Sequence, residues 1–284
     1  MYTVVPDWTR WELPEAPLMP RGVWHTEVQT CVSSSMEAEI ARTGRDAQVL
    51  QEVAVRWIEE RPAVGVDPDV CWVEPAPLEG KRLRSLLTWK QGHMVPLVAL
   101  EVVSPNNATK DYEIAPDRYA DLGVRELWIF DPDLEGPRTA GGPYRLQVWR
   151  WEGESFKRIH AGDGPWRSLA LGAWLVLTQE RRMLRLAEDP FGQKLWPTVA
   201  ERERAEKERE RAEKERERAE KERLADGAAR VVLRGLSRRL GRPLADAERD
   251  AVLDALKTTA VDALDDALAA LDDAALGVWL AGVR

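Results

Sequence analysis

Residues 97 to 103 read LVALEVV, and they are the most informative segment for predicting the fold. It is an almost continuous apolar run of strand length, the pattern of a strand buried on both faces. Residues 111 to 122 follow with a helical pattern, and Gly123 can end that helix because glycine readily adopts the left-handed conformation. Residues 126 to 130, ELWIF, form a second apolar run. A strand, a helix and a strand in this order predict a crossover between two parallel strands of one sheet.

Further elements extend this unit in both directions. Apolar residues at helical intervals from Ser33 to Glu60 predict a helix, with a break at Gly44. A strand is predicted over residues 70 to 73, directly after Asp67-Pro68-Asp69, because proline is tolerated where a strand begins. Residues 144 to 151 and 156 to 159 predict a hairpin, and residues 174 to 177 a last strand.

Composition and charge limit the classes of function. The chain has 284 residues, of which 44% are hydrophobic and 32% charged, and its net charge is −8. About −6 of that charge belongs to the first 200 residues, because residues 201–223 are neutral and residues 224–284 carry ten acidic and eight basic residues. Such an acidic body does not bind DNA through general electrostatics, so any nucleic-acid contact requires a local basic patch.

The sequence also predicts where the chain works. No apolar run reaches the roughly 18 residues of a membrane span, and the N-terminus lacks the basic and apolar segments of an export signal. Cys31 and Cys71 are too few for a disulfide framework. We therefore expect a cytoplasmic protein that makes no contact with a membrane.

The C-terminal part differs in physical character. Residues 201 to 221 repeat ERERAEK three times, with favourable Glu-to-Lys pairs such as Glu203 and Lys207, so they predict a helix. One alanine per heptad is a poor coiled-coil seam, which favours a solvated single helix over a coiled coil. Beyond Gly227 the pattern is amphipathic, so these helices need a surface to pack against. That surface is either the α/β body or the C-terminal helices of a second copy in a homo-oligomer.

These patterns predict four segments. They are an irregular N-terminal arm (1–24), an α/β domain (25–178), a linker with the charged heptad-repeat helix (179–223) and an amphipathic helical tail (224–284).

Two acidic residues are candidates for chemistry. Glu101 lies inside a strand predicted to be buried, where an ionised carboxylate costs several kcal/mol unless it is paired or binds a cation. Asp69 begins a strand of what is predicted to be the same sheet. Two such carboxylates are suitable ligands for Mg²⁺ or Mn²⁺. Alternatively, Asp69 is a turn residue and Glu101 pairs with a nearby lysine or arginine. His25, His93 and His160 have no ligand spacing and are interpreted as surface or core residues.

Several short motifs together resemble the Uma-two family of bacterial restriction endonucleases, over about residues 30 to 178. The motifs are Pro68-Asp69, Glu101-Val102-Val103-Ser104-Pro105, Asp111, Tyr119, Gly123-Val124-Arg125-Glu126-Leu127-Trp128 and Asp131-Pro132.

The resemblance implies a member of the PD-(D/E)XK nuclease superfamily, with a mixed sheet flanked by helices. It further implies a magnesium-dependent endodeoxyribonuclease that hydrolyses phosphodiester bonds of DNA. In that assignment Asp69 and Glu101 are the catalytic acids and metal ligands, and the carbonyl of Val102 is a backbone ligand.

The chain departs from the family at a lysine. Valine follows Glu101 where the superfamily has lysine, and Ala115 stands where the family commonly places one, four residues before Tyr119. Lys110 is the candidate replacement, since Arg118 is a poor proton-transfer group. The alternative hypothesis is a catalytically inactive nuclease-like fold that binds nucleic acid or protein.

Overall fold

The computed structural model describes residues 23 to 281, which divide into two compact units with the boundary after Arg204. The predicted irregular arm lies outside the described residues, except that its last two residues begin the first helix. The helices are α1 (Val23–Thr43), α2 (Ala115–Leu122), α3 (Val199–Leu240), α4 (Asp246–Leu256), α5 (Val261–Ala269) and α6 (Asp273–Leu280). The strands are β1 (Gln48–Gln51), β2 (Ala54–Arg56), β3 (Gly65–Val66), β4 (Val70–Val73), β5 (Ser85–Leu87), β6 (Val98–Val102), β7 (Glu126–Phe130), β8 (Leu146–Glu152), β9 (Ser155–Gly162), β10 (Trp166–Arg167), β11 (Trp174–Thr178) and β12 (Met183–Ala187).

A six-stranded mixed sheet forms the centre of the first unit, in the order β1-β4-β6-β7-β8-β9. β6 and β7 run parallel, with Glu101 opposite Ile129, and this confirms the predicted crossover. The other neighbouring strands pair antiparallel, among them β4 with β6 and the predicted hairpin of β8 and β9.

Helices cover both faces of this sheet. Side chains of a strand point alternately to opposite faces, so Leu100 and Val102 pack in one hydrophobic cluster with Met36 of α1. Ala99 lies on the other face, in a cluster with Tyr119 of α2. The predicted class, an α/β fold with a mixed sheet flanked by helices, is confirmed.

The helix predicted from Ser33 to Glu60 is wrong in its extent. α1 ends at Thr43, and Gly44 follows with a φ of 68°, the left-handed conformation that ends helices. The next residues instead form β1 and β2, because β1 gains a ladder of hydrogen bonds along β4. Three-stranded sheets also form, and the predicted last strand is β11, the middle strand of the sheet β10-β11-β12.

The second unit is helical. The predicted charged helix is confirmed as part of α3, whose residues 199 to 227 are all exposed, and a coiled coil there stays a prediction. Further along, α3 contributes Val232 and Leu236 to a core that α4, α5 and α6 complete with Val252, Leu268 and Leu276. Among residues 23–281, no helix combines the length and the apolar character that a membrane span requires.

Candidate active site

The two predicted acids lie on neighbouring strands. Asp69 directly precedes β4, and Glu101 is the fourth residue of β6. The side chain of Asp69 accepts a hydrogen bond from the backbone N–H of Val102, with 2.7 Å between Oδ2 and N. Both acids are buried. The structure therefore brings Asp69, Glu101 and Val102 together where β4 begins and β6 ends.

Glu101 is a buried acid whose pKa is affected by a second acid nearby. Burial raises its pKa well above the ordinary range, and the negative charge of Asp69 raises it further. Tyr119 of α2 donates a hydrogen bond to Oε1 of Glu101 over 2.7 Å. This hydrogen bond fixes the carboxyl group, but it supplies no positive charge. Two buried acids in this arrangement favour a nearby cation.

Lys110 brings one positive charge to the acids. Its side chain is exposed, its Nζ lies 3.9 Å from Oδ1 of Asp111, and its charge lowers the pKa of Glu101. Glu101 in turn raises the pKa of Lys110. Asp111 is itself buried, and burial is the main cause that raises its pKa to about 7. The charge of Lys110 thus acts on Glu101 and Asp111 although the residue lies at the start of the helical segment.

A π-helical turn explains this interaction. Lys110–Ile114 form the turn, and the N–H of Ala115 donates to the carbonyl of Lys110. Residues five apart therefore stack on one face here, whereas in an α-helix they lie about 140° apart. Ala115 is followed one α-helical turn later by Tyr119, which contacts Glu101. Lys110, Ala115 and Tyr119 consequently share the helix face toward the acids.

The other candidate cation lies elsewhere. The side chain of Arg118 is exposed and donates a hydrogen bond to the carbonyl of Gly65. The structure gives it no contact with Asp69 or Glu101.

Two residues of α1, His25 and Gln29, contact Asp69 and were not predicted as site residues; His25 was interpreted as a surface or core residue. Nε2 of His25 lies 3.3 Å from Oδ2 of Asp69, and Nε2 of Gln29 donates to the backbone carbonyl of Asp69 over 2.9 Å. The predicted helix began at Ser33, which left both residues outside it. Their spacing of four places them on one face of α1, and this is the signal that could have found them.

Two acids of the family motifs have structural contacts instead. Glu126 is buried and accepts hydrogen bonds from Oγ of Ser168 and the backbone N–H of Leu169, over 2.6 and 2.8 Å. Asp131 is also buried and accepts from the hydroxyl of Tyr112 over 2.9 Å. Both carboxylates therefore hold segments of the first unit together.

The donor set fits a divalent cation of the magnesium type. Within residues 23–281, no three His, Cys, Asp or Glu side chains gather closely enough to hold a metal ion. Mg²⁺, however, is usually held by one or two carboxylates, water and substrate phosphates rather than by an all-protein cage. The N–H and C=O of one strand residue point to the same side, so the carbonyl of Val102 is directed to the side of Asp69. Two acids and one carbonyl are suitable for such an ion.

Fold and site thus define the class: an α/β protein with a buried acid pair between the start of one strand and the end of its neighbour. A family model described as "Putative restriction endonuclease", that of Uma2, matches residues 10–169. The chain belongs to the Uma2 family, a family of nuclease-like proteins. No curated protein matches the chain.

One solved structure with similarity is that of a "putative nuclease belonging to DUF820" from Anabaena variabilis ATCC 29413. It shares 17% sequence identity, and the match covers 54% of this chain and 76% of that one, with a TM-score of 0.37.

Proposed function

We propose that the chain is a metal-dependent endonuclease that hydrolyses phosphodiester bonds of DNA. The observation that carries the proposal is the buried pair of Asp69 and Glu101, whose electrostatics include the charge of Lys110. Membership of the Uma2 family supports the same reaction.

The metal ligands would be Asp69, Glu101 and the carbonyl of Val102. When bound there, Mg²⁺ or Mn²⁺ would polarise a phosphate oxygen and lower the pKa of a bound water molecule. Tyr119 orients Glu101 through its hydrogen bond. The backbone N–H of Val102 orients Asp69 in the same way, so both carboxylates are held before substrate arrives.

Lys110 would act on the phosphate. A lysine ammonium group is a compact charge with three donors, and next to a phosphodiester it stabilises the negative charge that develops on the oxygens during hydrolysis. The π turn compensates for Ala115, because it presents Lys110 on the face where the family commonly has its lysine. Asp111 would keep the ammonium group near the acids, since Oδ1 lies 3.9 Å from Nζ.

The cytoplasm is the compartment we propose for this activity. Cys31 and Cys71 are both free, and the Cys71 thiol is buried. A reducing compartment keeps such thiols unoxidised.

The test begins with titration calorimetry of Mg²⁺ and Mn²⁺ into the full chain, and continues with incubation of the same samples with supercoiled DNA. The variant is Glu101→Gln, which preserves shape but removes the charge. The matched control is Glu126→Gln, an equally buried glutamate on the adjacent strand. We expect Glu101→Gln to lose metal binding and nicking, while Glu126→Gln keeps both. Nicking by Glu101→Gln at the parental rate would refute the proposal.

A second candidate function is that of an inactive nuclease-like fold that binds nucleic acid or protein. The observation in its favour is Ala115, which is buried at the position of the family's lysine. This candidate predicts no nicking by the parent chain at any Mg²⁺ or Mn²⁺ concentration.

A further inference from the structure

Four exposed arginines line one groove in the second unit. Arg230, Arg234 and Arg238 come from α3, and Arg249 comes from α4. The groove has a volume of about 590 Å³, and Leu233, Ser237, Pro243 and Leu244 complete its lining. We call it the arginine groove.

Three of these arginines lie in a row along the axis of α3. Arg230, Arg234 and Arg238 are four residues apart, so they lie on one face of α3, about 6 Å apart along the helix axis. Arg249 adds a fourth charge from a second helix. The positive charges therefore form a row rather than a single point.

Acidic side chains do not neutralise this row. Within the described residues 23–281, none of the four arginines takes part in an ion pair, whereas the nearby Arg242 pairs with Glu248 over 2.7 Å. Like charges that are gathered without counter-charges repel one another, and a polyanion relieves that repulsion.

The charge of the second unit is also segregated along the chain. Residues 224 to 249 carry six arginines and three acidic residues, whereas residues 250 to 281 carry seven acidic residues and one lysine. The first 200 residues, with about −6, repel DNA. The arginine groove is thus a basic patch in an otherwise acidic or neutral chain.

We propose that the arginine groove binds the phosphate backbone of double-stranded DNA. Guanidinium groups match phosphate geometry through paired hydrogen bonds, and a row of them suits a linear polyanion. The choice of DNA as the polyanion rests on the proposed function, while the groove itself does not depend on that function. Such contacts position DNA and carry no sequence information.

The experiment measures binding of the full chain to a labelled DNA duplex by fluorescence anisotropy, in EDTA and over a range of salt concentrations. The groove variant replaces Arg230, Arg234 and Arg238 with glutamine. Each lost phosphate contact lowers the slope of log K against log salt by about 0.9, so we expect a slope shallower by roughly 2.7. At about 0.1 M salt this corresponds to binding that is weaker by roughly 500-fold.

Two further variants isolate the cause. The charge-matched control replaces three exposed arginines of the charged segment 201–223 in the same helix, Arg209, Arg216 and Arg223, with glutamine. We expect it to keep the parental salt slope. Replacement of the three groove arginines with lysine retains the charge and should keep most of the affinity, which shows that the loss in the glutamine variant comes from lost charge and not from damaged folding.

The outcomes are distinct. Unchanged DNA affinity in the groove variant overturns the proposal and leaves an acidic protein surface as the occupant to test. An equal loss in the heptad control also overturns it, since net charge would then be the cause. EDTA removes the metal ions and so prevents cleavage during the binding measurement. The result for DNA binding by the groove is therefore independent of the nicking assay and of the result for Glu101→Gln.

Discussion

The replacement Asp111→Asn should stabilise the first unit, by an amount that depends on pH. Burial is the largest cause that raises the pKa of Asp111 from 3.8 to about 7, and the charge of Asp69 contributes in the same direction. An acid with a raised pKa binds more protons in the folded than in the unfolded chain. Stability therefore falls as the pH rises from about 3.8 to about 7. At about 1.4 kcal/mol per pH unit, the full effect above pH 7 is up to roughly 4 kcal/mol.

The assay is urea unfolding between pH 4.5 and 8 in EDTA, followed by tryptophan fluorescence, since Trp72 and Trp128 are buried in this unit. The difference in unfolding free energy between Asp111→Asn and the parent should grow across this range. Glu113→Gln, an exposed acid of the same π turn, is the control and should show no such difference. An Asp111→Asn chain that is no more stable than the parent at pH 8, or one whose advantage is the same at every pH, would refute the reasoning.

Three further predictions concern other parts of the chain. Lys110→Ala should slow DNA nicking by about 10²- to 10³-fold, because it removes a positive charge that stabilises the phosphate. Adding Ala115→Lys should restore part of the rate, and no recovery in nicking assays of correctly folded protein would contradict the shared helix face. Glu126→Gln should lower the unfolding free energy of the first unit by about 1–3 kcal/mol, because its hydrogen bonds from Ser168 and Leu169 weaken, and calorimetry should find Mg²⁺ affinity unchanged. Leu276→Ala, at a fully buried position of the second unit, should cost about 2–5 kcal/mol in unfolding followed by circular dichroism, and parental nicking activity would show that the first unit is unaffected.

The sequence predicted the centre of the fold because its signals are local. β6 and β7 are apolar runs of strand length, and Gly123 ends the helix between them with a φ of 82°. The helix was predicted to extend beyond α1 because the apolar positions Val49 and Val53 continue the helical spacing by coincidence, while β1 depends on pairing with β4.

The candidate site was predictable only in part, for a similar reason. Glu101 is conspicuous as an acid within an apolar run, and Asp69 follows a proline before a strand. His25 lies 44 residues before Asp69 in the sequence, and no spacing pattern relates residues of a helix and a strand start that meet only in the folded chain. The π turn was not predicted either, because one residue more per turn leaves no mark on a pattern five residues long.

The π turn has a consequence for how such chains are compared with one another. When a helix absorbs one extra residue, the residue that shares the face of Ala115 one turn earlier is Lys110, five positions away, instead of Asp111, four positions away. A search that asks for lysine at one fixed position finds Ala115 here and classifies the chain as inactive. A search that follows the helix face finds Lys110. To judge which relatives of this chain retain a complete site, one should therefore compare the residues on the helix face that points to the acids, rather than the residue at one aligned position.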